Sequence, residues 1–359
     1  LVDTGNFSER DFCVGLDVDL GAALPDRHHA AGPEPATGHS ADHKDPHRDE
    51  EQGWQDPGEN MHEPAIVRRS RDRNTRRCQL GGEGWIDAVG DGVESVTVDE
   101  PVAVACMAPC GDCRWCRRGQ DNYCVDTWHG RGFGTDGGLA EYVVVGAGQV
   151  VPLGDLDPKV VAPLTDAGAT SYHAVKKVLP KIYDDSTVVV IGVGGLGAYG
   201  VQWLRMLTSA RIVAVEARPE RIKAAADLGA HEVIEAGEGL SKRLAQAIGD
   251  GGADAILDFV GSDATIRASM RNAAKAGAIA LVGQGFGSGE VRYGAWAHDC
   301  DLFNPQGATI AELHEVIALA KSGDVVVEVE HFAFDDTVAA YDRLRAGTLN
   351  GRAVVLPNG

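Results

Sequence analysis

The chain has 359 residues, 44% hydrophobic, 24% charged and 6% aromatic, a globular composition at a length that suits two domains rather than one. Its 33 Lys+Arg against 53 Asp+Glu leave a formal charge of −20, a surface that repels polyanions and excludes nucleic acid and anionic lipid as expected partners. No run approaches the ~20 apolar residues of a membrane span, and residues 1–32 show no basic start followed by an apolar core, so neither a span nor a secretory signal is expected and the protein reads as cytoplasmic.

The first 64 residues differ from the rest. They hold 6 of the 15 Pro, 6 of the 12 His, and 15 acidic against 4 basic residues. Residues 32–64 lack apolar periodicity, which predicts a disordered or mis-framed segment. An abrupt basic patch follows, Arg68-Arg69-Ser70-Arg71-Asp72-Arg73 and Arg76-Arg77, read as a solvated linker rather than an electrostatic arm. The basic residues are also skewed, 9 Lys against 24 Arg. With this acidity the skew suits a protein living in concentrated salt, where screening damps self-repulsion; an acidic cytosolic protein from a GC-rich genome fits equally.

From Gly84 the texture is all-β. Short strands are predicted over 85–90, 93–104, 140–145 and 150–153, broken by Gly and acidic turns. After Pro163 it becomes α/β. Thr187–Ile191 is a continuous β-branched run, as for a strand buried on both faces. Further strands are predicted at Arg211–Glu216, 253–260, 278–282 and 325–329, and helices at 196–207, 219–228, 264–274, 310–321 and 336–345. Strands alternating with helices imply βαβ units and a parallel sheet.

Two motifs carry chemistry. The first is the glycine loop Gly192-Val193-Gly194-Gly195-Leu196-Gly197, which follows a buried strand, opens a helix, and precedes a second strand ending in Glu216, 19 residues past Gly197. That is the setting of a dinucleotide fingerprint. Gly192 permits the turn, Gly194 lets backbone approach the pyrophosphate, and Gly197 lets helix pack on strand, while the helix N-terminus offers N–H groups to phosphate. Glu216 would accept from the ribose hydroxyls of NAD and repel a 2′-phosphate, so NAD is expected over NADP, with Arg218 a slight counterweight.

The second is Cys110-x2-Cys113-x2-Cys116-x7-Cys124. Four soft thiolates this close suit one tetrahedral zinc, with every position filled by protein and none open to substrate, the mark of a structural site. Arg114, Arg117 and Arg118 lessen the charge of a tetrathiolate. An iron–sulfur cluster and disulfides are the other readings.

Together these residues resemble the zinc-containing alcohol dehydrogenases of the medium-chain dehydrogenase/reductase superfamily over residues 84–359. The likeness is carried by the cysteine lobe through Asn122-Tyr123-Cys124, by Gly134–Tyr142, by the segment from Pro163 to Ala174 with Leu164, Asp166, Thr170 and His173, and by the glycine loop. The resemblance implies an α/β fold class: a GroES-like β domain (65–163, with the zinc lobe at 106–126), a doubly wound Rossmann domain (164–296), and a C-terminal return (297–359) to the Rossmann edge and the β domain. It implies a homodimer or homotetramer, small alcohol or carbonyl substrates, NAD, and Thr170 beside the nicotinamide.

In that family a second zinc polarises the alcohol oxygen, held by a Cys in Gly-x-Cys-His-Ser/Thr-Asp, a His in Gly-His-Glu, and a Cys or Asp matched here by Asp166. Only the third is present. Leu80-Gly81-Gly82-Glu83-Gly84 stands where the His motif belongs, with Glu83 its remnant, and Gly38-His39-Ser40-Ala41-Asp42-His43 lacks the Cys. Three explanations stand: an altered reading frame before residue 84; a site rebuilt from His39, His43, Cys78 and Glu83; or a nucleotide-binding relic without chemistry. The expected activity is therefore an NAD-dependent alcohol dehydrogenase, impaired if the ligands are lacking. A catalytically silent NAD(H)-binding protein and a zinc-independent reductase of the quinone-reductase kind are the alternatives. His173 reads as a packed or capping histidine, Cys106 as core, Cys13 and Cys300 as free thiols, and 259–261 as a backbone contact to NAD.

Overall fold

A computed structural model describes residues 64–68, 82–125, 130–132, 137–290 and 292–357. The acidic segment 1–63 with Cys13, His39 and His43, the basic patch beyond Arg68, Cys78, Gly81 and residues 134–136 lie outside the described residues.

The β texture forms an antiparallel sheet of β1 (Pro64–Arg68), β2 (Gly82–Val89), β3 (Pro101–Val104), β4 (Tyr142–Gly146) and β5 (Val150–Pro152), in the order β4-β1-β2-β3-β5. Alternation turns Ile86, Val102, Val104, Val143, Val145 and Val150 into one small core.

The chain then crosses through α1 (Pro158–Val161) and α2 (Ala167–Val178) into repeating βαβ units. These are β6 (Thr187–Ile191), α3 (Gly197–Leu207), β7 (Arg211–Glu216), α4 (Pro219–Asp227), β8 (Glu232–Glu235), α5 (Leu240–Ile248), β9 (Ala253–Asp258), α6 (Asp263–Asn272), β10 (Ala273–Leu281) and β11 (Asp301–Phe303), followed by α7 (Ile310–Ala320). Six of these strands make one parallel sheet, β11-β10-β9-β6-β7-β8. Val188, Val190, Ile212, Ala214, Ala255 and Leu257 enter a core shared with α2, α3 and α7, while Val189, Ile191, Val213, Val215, Ile256 and Ile279 enter the core of the opposite face. Strand order reverses direction between β6 and β9, so the crevice at their carboxyl ends is where such a sheet binds ligand. The chain ends with β12 (Val329–Ala333), α8 (Thr337–Arg345) and β13 (Arg352–Leu356), a two-stranded parallel ribbon that ties back to the crossover through His331 and the Lys159 carbonyl, 2.9 Å apart. Among the described residues no helix is long and apolar enough to cross a membrane.

Three expectations are corrected. The run 93–104 is a strand only over Pro101–Val104: turns closed by Val93 N–H to the Gly90 carbonyl and by Thr97 N–H to the Glu100 carboxylate each drop one valine, Val93 and Val96, into the core at a spacing of three. The run 325–329 is extended but pairs with no strand until Val329, because the Gln202 carboxamide takes both backbone groups of Val326, at 2.7 and 3.2 Å. The basic patch is not wholly linker. Arg68 ends β1, which lies between β2 and β4 and is one of the opening strands the sequence did not reveal.

Candidate dinucleotide and metal sites

The glycine loop lies at the carboxyl end of β6, at the switch point. Gly192 turns with φ +82°, and its N–H reaches the Val215 carbonyl of β7 at 2.8 Å. A Cβ at Gly197 would stand 1.8 Å from the Gly192 carbonyl oxygen, so the first turn of α3 closes on the loop only because that position is bare. Phe259, Val260 and Gly261 line the other lip: Phe259 N–H bonds the Ile191 carbonyl at 2.9 Å, and Val260 and Gly261 N–H both bond Asp258 Oδ1 at 2.9 Å.

Glu216 ends β7 with only 5% exposure. Its Oε2 accepts the Val193 N–H at 2.9 Å, and its Oε1 accepts the N–H groups of Ala217 and Arg218 at 2.8 and 3.0 Å. The acid is thus fixed to the glycine loop itself, with the Arg218 guanidinium 3.6 Å away. One residue of this site was not found by sequence reasoning. Arg352, on β13, spans the loop so closely that a Cβ at Gly195 would be 2.4 Å from its Nη1. It lies 157 positions from Gly195, and only its cationic side chain near a C-terminal strand could have hinted at it.

The lobe brings Cys110, Cys113, Cys116 and Cys124 together, with their four Sγ atoms all within 4.8 Å of one another. Backbone N–H groups point at the sulfurs: Cys113 N–H to Cys110 Sγ and Cys110 N–H to Cys124 Sγ, each 3.3 Å. Such donors stabilise thiolate over thiol, and N–H groups at Cys116 and Val125 draw the Cys113 thiol down to about 6. The described cysteines form no disulfide. Four convergent sulfurs with aligned N–H donors fit a tetrahedral soft cation. Arg114 stacks on the Trp115 ring at 4.5 Å and Trp115 meets Tyr123 edge-on at 5.8 Å, which stiffens the loop around the sulfurs.

Asp166 heads α2, half-buried, and accepts the Thr170 hydroxyl at 3.3 Å. Burial pushes its carboxyl up, opposed by the Arg352 guanidinium and by Thr170. Cys106 follows β3 rather than lying in it; burial and the nearby Asp166 charge push its thiol up. It lines a cavity of about 10 Å³, room for one water, together with Met107, Asp121, Thr165, Ala169 and Thr309. Glu83 lies on β2, opposite Ala103 of β3. Among the described residues only the four-cysteine lobe gathers three or more possible metal ligands; Asp166, Glu83 and Cys106 do not converge into a second set.

The family model described as "Zinc-binding dehydrogenase" matches residues 195–327, and that described as "Alcohol dehydrogenase GroES-like domain" matches 70–155. The D-arabinose 1-dehydrogenase (NADP(+)) of Saccharolobus solfataricus is 32% identical over 77% of this chain and 81% of its own. The NAD-dependent alcohol dehydrogenase of Sulfurisphaera tokodaii is likewise 32% identical over 77% and 81%. The chain belongs to the zinc-binding dehydrogenases. The crystal structure of the Aeropyrum pernix alcohol dehydrogenase superposes with a TM-score of 0.72 at 29% identity, covering 86% of this chain and 96% of that one. The GroES-like and Rossmann-like domains are therefore those of an oxidoreductase family whose members act with NAD or with NADP.

Proposed function

We propose that this zinc-binding dehydrogenase interconverts primary or secondary alcohols and their carbonyls by hydride exchange with C4 of the nicotinamide of NAD, and that it works as a homodimer or homotetramer. The observation that carries the cofactor choice is the Glu216 carboxylate fixed on the Val193 N–H. It stations a negative charge where an adenosine ribose lies in such a crevice, favouring free ribose hydroxyls over a 2′-phosphate. The Arg352 guanidinium lies against Gly195, and with the N–H groups at the head of α3 it would face the diphosphate. Thr170, one turn above Asp166, belongs to the nicotinamide end of the crevice.

Cys110, Cys113, Cys116 and Cys124 would hold a structural zinc, which would fasten the lobe and take no part in the chemistry. A catalytic zinc stabilises the alkoxide as it forms. Asp166 supplies one ligand for it where about three are needed, so the described residues do not fit that ion. This mismatch favours a second reading, a catalytically silent NAD(H)-binding protein of the same fold.

One preparation separates the two. NADH is titrated by fluorescence, NAD-dependent oxidation is followed on a panel of primary and secondary alcohols, and zinc is counted per chain. Nucleotide binding with turnover and about two zincs supports the dehydrogenase. Binding with one zinc and no turnover supports the silent protein. Failure to bind NADH removes both.

A further inference from the structure

Between the lobe and the nucleotide domain runs a chain of buried polar side chains that neither site uses. His173, 5% exposed and almost two turns into α2, lies at its centre. Its Nδ1 is 2.8–2.9 Å from both carboxylate oxygens of Glu312, which also closes the capping box of α7 with Thr309. Its Nε2 is 3.4 Å from Asn122 Nδ2 and 3.4 Å from the Tyr123 hydroxyl, both on the short turn that leads into Cys124.

The directions of these bonds follow from the partners. Asn122 Nδ2 donates to the Gln306 carbonyl at 3.0 Å, which fixes the amide with its NH2 toward His173. A donor facing Nε2 requires a lone pair there, so the imidazole carries its proton on Nδ1 and donates it to Glu312. His173 thus receives from the lobe and gives to α7. One helical turn before it, the Thr170 hydroxyl holds Asp166, and the Thr170 N–H takes the Asp166 carbonyl at 2.7 Å. On the lobe side, Cys124 N–H closes the Asp121–Tyr123 turn at 3.0 Å, and the Asp121 carboxylate receives the Ile310 N–H at the start of α7 at 3.2 Å.

This polar chain is not what makes α2 a helix. Val175, Val178, Leu164 and Tyr172 already bury it against α3 and α7 in a continuous apolar core. A buried imidazole between two helices and a loop costs desolvation that an apolar residue would avoid, so its return is in geometry rather than in stability.

We propose that His173 is a positioning residue, a latch through which the occupied four-cysteine lobe fixes the first turns of α2 and so the placement of Asp166 and Thr170. An ion that ties Cys124 to the other three thiolates holds Asn122 and Tyr123, and these hold His173. The inference rests on the structural-zinc reading of the lobe and is independent of whether the chain turns over an alcohol.

Two isosteric variants separate the arms of the latch. His173→Asn keeps a donor at the Nδ1 position for Glu312 and has no atom at Nε2. His173→Gln places a carbonyl acceptor near Nε2, toward Asn122 and Tyr123. The full-length protein is loaded with Co2+, whose tetrathiolate charge-transfer band reports the lobe, and loss of that band to a chelator is timed. Release is expected to quicken about tenfold in His173→Asn, the low end of what removing an outer partner costs, and to stay near wild type in His173→Gln. Amide exchange over residues 167–173 should rise when the wild-type lobe is stripped, and should already be raised in metal-loaded His173→Asn. Equal release from all three proteins overturns the latch, and so does equal acceleration in both variants. Exchange over 167–173 that ignores stripping of the wild type overturns it even if a variant does not fold. A wild-type lobe that binds no Co2+ overturns the zinc reading and the latch with it.

Discussion

The Glu216 carboxylate accepts the Val193 N–H at 2.9 Å, so the acid at the end of β7 and the loop at the end of β6 form one unit. On the proposed reading, the charge that would select the ribose also shapes the turn that would receive the diphosphate. Glu216→Gln removes the charge and keeps one acceptor for the Val193 N–H, at the cost of turning its NH2 toward the Ala217 and Arg218 N–H groups that Oε1 now receives; that loop cost falls on both nucleotides alike, so their ratio reads the charge. Arg218, now 3.6 Å from the carboxylate, is released toward a 2′-phosphate. Titration of the variant should show NADH weakened and NADPH strengthened, narrowing the preference by roughly 10- to 100-fold, the scale of one charge-assisted contact. An unchanged ratio of the two dissociation constants would remove Glu216 from cofactor selection.

The lobe yields a stability prediction. Burial and the neighbouring Cys113 and Cys124 thiols push the Cys116 thiol up, so without an ion it keeps its proton at neutral pH, and a bound ion must displace that proton to complete the four-thiolate set. Cys116→Ser removes one of four donors. Metal analysis should find one zinc fewer per chain, and scanning calorimetry should find Tm lowered by roughly 5–10 °C if the unfastened lobe loses about 3 kcal/mol. NADH affinity should hold within about twofold, since among the described residues no hydrogen bond or ion pair joins the four cysteines to the glycine loop. A variant that retains its zinc would show the lobe is not the binding site.

What could be read in advance was local. The glycine loop and the lobe are each contiguous strings, and their strands and helices follow from periodicity within a few residues of each end. What could not be read was distant or borrowed. His173 and Glu312 meet across 139 positions, and Arg352 reaches Gly195 from the last strand, so neither pair leaves a mark in a sequence window. The run 325–329 has the texture of a strand but finds its partner in the side chain of Gln202. In 93–100 the two buried valines, Val93 and Val96, belong to turns, and their spacing of three breaks the alternation of a strand. β1 was hidden because Arg68 opens a run of arginines, and charge outweighed the short apolar stretch before it. Of the catalytic-metal ligands only Asp166 was legible in the sequence, and the described residues add no second cluster.

Thiol chemistry offers a check with a defined sign. Burial, with the adjacent Asp301 charge, pushes Cys300 up to about 11 against an ordinary 9.0, while Cys113 in the ion-free lobe is drawn down to about 6. Only thiolate alkylates, so near pH 8 Cys300 carries about a hundredfold less reactive form than an ordinary thiol, and burial slows it further. Peptide mapping of chelator-treated protein exposed to iodoacetamide should find Cys113 labelled well before Cys300. The Cys300 rate should rise about tenfold per pH unit until pH approaches 11. Early labelling of Cys300 would mean that β11 opens locally.

Arg352 acts on two residues far apart in the chain, Gly195 and Asp166. Its guanidinium lies against Gly195, and its charge opposes the burial that pushes the Asp166 carboxyl up. On the proposed reading one side chain would serve the diphosphate, and the same charge opposes protonation of Asp166. Arg352→Met keeps the aliphatic stem and removes the charge. It should weaken NADH by roughly 10- to 100-fold, the loss of one charge-assisted contact to phosphate. Arg352→Lys should recover part of that loss, since a point charge remains but the two-pronged geometry does not. Salt decides whether the contact is electrostatic: the wild-type dissociation constant should rise with ionic strength more steeply than that of Arg352→Met. Parallel salt slopes with equal affinities would show that Arg352 packs on the loop without binding the dinucleotide.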